Sequence, residues 1–205
     1  MLGVAKILNP RSTFMNYKEL VYSSRTNRSF DESRIISREE LVYLVDLARH
    51  TPAAMNMQPL KFRLVYEKEE LDKTLSITAW GGALPELKLP PDGHAPTAYI
   101  IICHDTNVTE SSPTFLIDVG IVAQTMMLGA TDMGLRGCIL GSAKADDLKK
   151  VLGLSDNLLP KLTIALGKGE DRVEIVDAKD GNIKYFRDEN NTHFVPKRTL
   201  EEMII

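Results

Sequence analysis

Three short stretches of this 205-residue chain carry side chains suited to holding a ligand. The first is Arg25-Thr26-Asn27-Arg28, which follows an apparent helix (Tyr17 to Tyr22) and precedes Phe30. It puts two guanidinium groups and a hydroxyl within one turn. A guanidinium presents a planar fork of donors that fits phosphate oxygens, and a threonine hydroxyl adds one more bond. The plainer alternative is a solvated helix end. The second stretch is Thr51-Pro52-Ala53-Ala54-Met55-Asn56-Met57-Gln58-Pro59, where two prolines bracket small residues and two carboxamides. A carboxamide offers both a donor and an acceptor, as the edge of a heterocycle requires, and small residues let a flat ring approach the backbone. Here the alternative is an Asn/Gln loop that bonds its own backbone. The third stretch, His193-Phe194-Val195-Pro196-Lys197-Arg198-Thr199, is a basic pair ahead of a short helical tail, or else an ordinary charged terminus.

Other catalytic patterns are missing from the sequence. There is no Gly-x-Ser-x-Gly elbow, no phosphate-binding Gly-x-x-x-x-Gly-Lys loop and no His-Glu-x-x-His, and the four histidines are scattered without metal-ligand spacing. No metal site is therefore expected. The glycines 134, 137 and 141 are spaced three and four apart, which does not make a dinucleotide fingerprint. His104-Asp105 could form a catalytic base pair, but it reads more simply as the turn at a strand end.

The elements that must position these stretches follow from capping and periodicity. Ser37 and Glu40 have capping-box spacing, and Leu41, Leu44, Val45 and Ala48 then mark one helical face up to Pro52. Phe62 to Tyr66 reads as a strand, and Glu69 to Ile77 as a helix. Trp80 to Pro96 contains four prolines and three glycines, so neither a helix nor a central strand can persist there. A loop of that length is either a lid over a site or a surface excursion. Ala98 to Cys103 is a continuous apolar run and reads as a central strand. Phe115 to Leu135 is apolar on every face of a helical wheel and must be covered on every face, as a core helix or as one that also meets a second subunit. Gly137 to Leu140 and Leu162 to Leu166 read as strands, and Ala145 to Leu152 as a helix stopped by Gly153. Val173 to Val176 and Ile183 to Phe186 flank Asp180-Gly181, which predicts a hairpin. Helices and strands mix without βαβ alternation, so the expected fold is α+β, a single domain over residues 1–205.

Composition narrows the function classes. With 25 Lys and Arg against 28 Asp and Glu, the net charge is -3, so a general nucleic-acid or membrane-surface binder is not expected and any basic site must be local. Cys103 and Cys138 lie in apolar runs and read as core residues of a reducing compartment. The first ten residues lack the pattern of a leader, and no stretch reaches about 18 consecutive apolar residues, so the default location is the cytoplasm.

Taken in order, the motifs resemble the FMN-dependent nitroreductase family over roughly residues 17 to 204. The resemblance is carried by Ser24-Arg25-Thr26-Asn27-Arg28-Ser29-Phe30, Pro52 to Pro59, Asp118-Val119-Gly120 with Gln124, Gly134-Leu135-Arg136-Gly137-Cys138, and Pro196-Lys197-Arg198. It implies a mixed or antiparallel sheet packed among helices, in an intertwined homodimer whose two FMN sites are shared between the chains. The helix Phe115 to Leu135 would lie at the dimer centre. Carried over by position, Arg25, Thr26 and Arg28 would hold the phosphate and ribityl chain, joined by Lys197 and Arg198. Pro52, Ala53, Ala54 and Asn56, with Gln58 in the same loop, would line the flavin ring from the partner chain. Leu140, Gly141 and Ser142 would run along the flavin face. Trp80 and Gly81 would wall the space for a substrate.

Two positions depart from the family pattern: many members have a second Arg where Ser24 stands and a Ser where Ala53 stands. The resemblance further implies NAD(P)H as electron donor, small flat acceptors such as nitroaromatics or quinones, ping-pong traffic, and chemistry carried by flavin N5 rather than by a catalytic side chain. Its rivals are a flavin store or electron-transfer protein, which NAD(P)H would not bleach, and an enzyme that dehydrogenates or dehalogenates one dedicated metabolite.

Overall fold

The computed structural model describes residues 15–205. The ten-residue start read as lacking a leader, and the first part of the 1–205 domain, lie outside the described residues.

The central sheet has five strands, and every pairing between them is antiparallel. Its long strand β5 (Leu158–Gly169) lies between β3 (Ala98–Asp105) and β4 (Arg136–Leu140); β2 (Leu60–Val65) pairs with the far side of β3, and the two-residue β1 (Phe30–Asp31) pairs with the last residues of β5. All eight residues of β3 are buried, as its unbroken apolar run requires. Its alternate side chains serve different cores: Ala98, Ile100 and Ile102 face one, Tyr99, Ile101 and Cys103 the other.

On the first face lie α2 (Arg38–Arg49) and α4 (Thr114–Asp132). The capping box of α2 is complete, with Ser37 and Glu40 each accepting from the other's backbone, and its Leu41, Leu44 and Ala48 are buried in the first core. Fully burying each leucine is worth about 1.5–3 kcal/mol. On the second face lie α3 (Lys68–Ser76), α5 (Ala145–Leu152) and Trp80. Gly153 ends α5 in the left-handed conformation, at φ 61°.

Helix α4 differs from expectation in two ways. It stops at Asp132, because Gly134 takes φ 77° and turns the chain, so Leu135 is buried just beyond the helix. Its cover is also incomplete. Phe115, Val119, Val122, Met126 and Ala130 are buried, yet Leu116 is 54% exposed and Ile117 65%, and Gly120 and Gln124 continue the open stripe. By length and composition α4 could cross a membrane, although no unbroken apolar run announces it in the sequence, because Asp118 and scattered small polar residues interrupt it. Just over half of it is buried within this fold.

The C-terminal region corrects a second expectation. Asp180 and Gly181 do form the tight turn, both at positive φ and closed by a Lys179–Asn182 bridge. The flanking strands do not pair with each other. Instead β6 (Val173–Asp177) lies parallel to β8 (His193–Lys197), and β7 (Phe186–Arg187) pairs antiparallel with the other side of β8. β8 offers β6 a five-residue register and brings Phe194 into a stack on Phe186, with ring centroids 5.1 Å apart. The hairpin would have left both interactions unmade. Two short helices complete the fold, α1 (Tyr17–Ser23) and α6 (Leu200–Met203), each with a full capping box.

Candidate functional site

The turn Arg25–Arg28 is built into the sheet edge. Thr26 bridges in parallel to Gly137 of β4, and the Asn27 N–H donates to the Gly137 carbonyl at 3.0 Å. Asn27 itself is buried; its amide donates to the Arg25 carbonyl, and its side-chain oxygen accepts from the Asp171 N–H at 3.1 Å. Asn27 is thus the structural pin of the turn. Thr26 is exposed.

The two arginines are held differently. Arg25 donates from Nη2 to the Val21 carbonyl at the end of α1, while its Nε is buried without a partner, and burial lowers its pKa. Arg28 lies with its guanidinium carbon 5.3 Å from the centre of the Tyr185 ring. Its backbone N–H donates to Asp171, and both Nε and Nη1 are buried without a partner. A buried unpaired donor costs about 1–3 kcal/mol, so three of them on one turn mark a place prepared for an acceptor-rich ligand.

Leu140, Gly141 and Ser142 leave the end of β4 beside this turn. Leu140 is buried, Gly141 is open, and the Ser142 hydroxyl donates to the Ala79 carbonyl at 2.7 Å while accepting the Ala79 N–H at 3.1 Å. Those two bonds fix the start of the Trp80–Pro96 loop. Trp80 packs into the second core, donates from its indole to Thr78, and meets the Phe30 ring edge-on at 6.4 Å. Gly81 has φ +60° and is buried; a β-carbon there would come within 3.9 Å of Arg28 Cδ. Turn, β4 end and loop therefore form one neighbourhood.

The Pro52–Gln58 loop forms another. Met55, Asn56 and Gln58 all have positive φ, a concentration of left-handed backbone that non-glycine residues rarely adopt. The Ala54 N–H donates to both carboxylate oxygens of the buried Asp118 at 3.1 Å, which anchors the loop to α4. Gln58 donates to the carbonyl and side chain of Asn56, so the loop does bond itself. A cavity of about 230 Å³ lies beside it, lined in part by Pro52, Ala53, Gln58, Phe62 and Val122. Among the described residues, no hydrogen bond or ion pair joins this loop to the Arg25–Arg28 neighbourhood. Lys197 and Arg198 are exposed at the end of β8, and among the described residues their side chains make no hydrogen bond or ion pair.

The support behind Arg28 is not legible in the sequence. Asp171 and Arg187 form an ion pair at 2.9 Å whose side chains are 3% and 8% exposed, and His193 and Tyr185 meet edge to face at 5.2 Å beside it. His193 is buried with Nδ1 unpartnered; desolvation lowers its pKa, and the Arg28 and Arg187 charges lower it further. Only the basic character of the segment was readable locally, because Asp171 and Arg187 are sixteen residues apart and no short motif joins them. His104 and Asp105 are not the turn itself but the last two residues of β3, paired with Leu159 and Leu158 of β5, and the turn begins at Thr106; His104 is bonded to the Thr109 carbonyl, and Asp105 accepts from Asn107 and Asn157.

This fold and this arrangement of motifs are those of a known class, and the chain belongs to the nitroreductase family, whose pattern it matches over residues 21–168. A relative from Archaeoglobus fulgidus, named as an NADH dehydrogenase/NAD(P)H nitroreductase, is 24% identical over 167 residues, which cover 79% of this chain and 90% of the relative. Among solved structures, a nitroreductase family protein from Clostridium difficile 630 superposes with a TM-score of 0.66 at 23% identity, covering 93% of this chain and 98% of that one. A protein from Exiguobacterium sibiricum described as a nitroreductase in complex with FMN superposes at 0.63 with 20% identity, covering 78% and 91%.

Proposed function

We propose that the protein is an FMN-dependent oxidoreductase that takes electrons from NAD(P)H and reduces small flat acceptors such as nitroaromatics or quinones. The observation that carries this is the set of buried unpartnered donors on Arg25 and Arg28, in a chain whose family includes an FMN-bound neighbour. Those residues suit an anionic, acceptor-rich cofactor. Arg25, Thr26 and Arg28 hold its phosphate and ribityl end, with Lys197 and Arg198 free to add charge there. Leu140, Gly141 and Ser142 run along the ring, where the open backbone at Gly141 lets a flat group approach closely. FMN held by these residues would supply the redox chemistry, linking a nicotinamide donor to the acceptor, while the chain supplies binding, orientation and access.

The remaining wall of the ring comes from the Pro52, Ala53, Ala54, Asn56 and Gln58 loop of a second copy. That loop is anchored on α4 through Asp118 and makes no hydrogen bond to the turn among the described residues, and the uncovered Leu116–Ile117 stripe lies on the same helix. The two copies form a homodimer with two shared sites. Trp80 and Gly81 border the acceptor space. Trp80 is wedged into the core by Phe30 and Thr78, so it makes a fixed wall rather than a mobile lid. The enzyme works in the cytoplasm.

The test is to purify the protein and examine its cofactor. It should be yellow, release FMN rather than FAD on denaturation, hold about one flavin per chain, and bleach within seconds when a nicotinamide donor is added without oxygen. A colourless protein that FMN cannot reconstitute would reject the cofactor. A yellow protein that NADH and NADPH leave oxidised would instead be a flavin store.

A further inference from the structure

Arg28 sits beside a buried carboxylate that does not take its guanidinium. Asp171 lies in the middle of the short β5–β6 connection, beyond the residues that match the family, and its side chain is 3% exposed. Its Oδ2 accepts the Arg28 backbone N–H, and its Oδ1 accepts Arg187 Nη2 at 2.9 Å. A carboxylate and an arginine this close ordinarily pair through the guanidinium, since the two-pronged pair is the strongest contact open to both. Here Arg187, carried by β7, already holds the carboxylate. Arg28 is left to lie against the Tyr185 ring, its guanidinium carbon 5.3 Å from the ring centre. Its in-plane donors, Nε and Nη1, stay buried and unpaired.

We propose that Arg187 and Asp171 are positioning residues of the cofactor site: Arg187 neutralises Asp171 so that the carboxylate orients Arg28 by its backbone without capturing its guanidinium, whose in-plane donors remain available to FMN. The small C-terminal sheet thereby becomes part of the site, because β7 and the residues before it supply both Arg187 and Tyr185. This inference rests on the function proposed above. It also accounts for the burial of an ion pair, which on energetic grounds alone seldom gains over apolar packing.

The experiment measures FMN affinity of the apoprotein by quenching of flavin fluorescence, with thermal unfolding of each apoprotein as the folding control. Arg187→Gln frees Oδ1 of Asp171 to capture Arg28, and FMN affinity should fall about ten-fold or more, the scale set by losing one charge-assisted bond. In an Arg28→Ala background the same change should cost less than about two-fold, because the side chain through which it acts is gone. Asp171→Asn/Arg187→Gln, a neutral amide pair of similar shape, should recover most of the affinity lost by Arg187→Gln alone, and Arg187→Lys should retain it. If Arg187→Gln does not fold, Tyr185→Leu at the ring and the double amide variant carry the same comparison with and without Arg28.

Equal losses in both backgrounds would overturn the proposal in favour of a purely structural ion pair, and so would no loss at all. Wild-type protein that binds FMN with no penalty from Arg28→Ala would overturn it too, while leaving the FMN assignment standing. Wild-type protein that binds no FMN would overturn both readings together.

Discussion

Arg28 is the residue on which the proposed site depends most, because it is held at its backbone and lies against the Tyr185 ring and has two buried donors without a partner. Arg28→Ala should weaken FMN binding by about 1.5–3 kcal/mol, the worth of a hydrogen bond to a charged group, measured by fluorescence titration of the apoprotein. Arg198 is exposed, so Arg198→Ala should cost less than Arg28→Ala in the same titration, and its loss should vanish with riboflavin, which lacks the phosphate. His193 gives a second prediction at this scale. Desolvation, then Arg28 and Arg187, push its pKa below the ordinary histidine value in the folded state, with Asp171 opposing them. A histidine whose folded pKa lies below its unfolded value of about 6.5 makes the unfolded state the better proton binder. Stability should therefore fall as pH drops below about 6.5 and level off below the folded pKa. Thermal unfolding between pH 7.5 and 5 should show a steeper decline for wild type than for His193→Gln, which cannot take up that proton.

At the scale of elements, the turn and β4 are fitted to each other through glycine. A β-carbon on Gly137 would stand 2.5 Å from the Ala165 carbonyl oxygen and 3.0 Å from both a Leu166 methyl and the Met127 sulfur, and one on Gly169 would stand 2.3 Å from Asn27 Oδ1. At Gly137 the nearest atom is backbone, which cannot yield as a flexible side chain can. Gly137→Ala should destabilise the fold by roughly 1–3 kcal/mol, as overpacking does, and should also displace Asn27 and weaken FMN binding, whereas Gly141→Ala, in open space, should leave stability unchanged. Chemical denaturation of the two variants checks this.

The elements that were legible in the sequence were the local ones. The capping box of α2, the apolar run of β3 and the glycine stop of α5 each lie within a few residues, where capping and periodicity act. The parallel pairing of Val173 with His193 and the Asp171–Arg187 pair were not legible, because their partners are sixteen to twenty residues away and are chosen by burial rather than by any turn. The site divided along the same line: the motifs named Arg25, Arg28 and the Pro52–Gln58 loop, but nothing local to Arg28 pointed to Tyr185, and the anchoring of Ala54 by Asp118 spans sixty-four residues.

At the scale of the whole molecule, the open stripe on α4 and the two separate half-sites make one argument. A stripe bearing Leu116 and Ile117 at 54% and 65% exposure, on a helix otherwise packed into the core, leaves apolar surface that a second copy would remove from water. A permanent homodimer of this kind should bury more than roughly 2,000 Å² in total. The wild-type protein should accordingly sediment at twice its chain mass of 22.9 kDa at micromolar concentration. Ile117→Glu separates assembly from folding. The position is open in the single chain, so a charge there should cost the protomer less than about 0.5 kcal/mol, as surface substitutions do, but in a dimer it would place two carboxylates in an apolar contact. The variant should be a folded monomer, and it should have lost most of its FMN affinity, because the Pro52–Gln58 wall then never meets the Arg25–Arg28 turn. A folded monomer that binds FMN as tightly as wild type would mean that one chain completes its own site, and that the loop on α4 serves something other than the flavin.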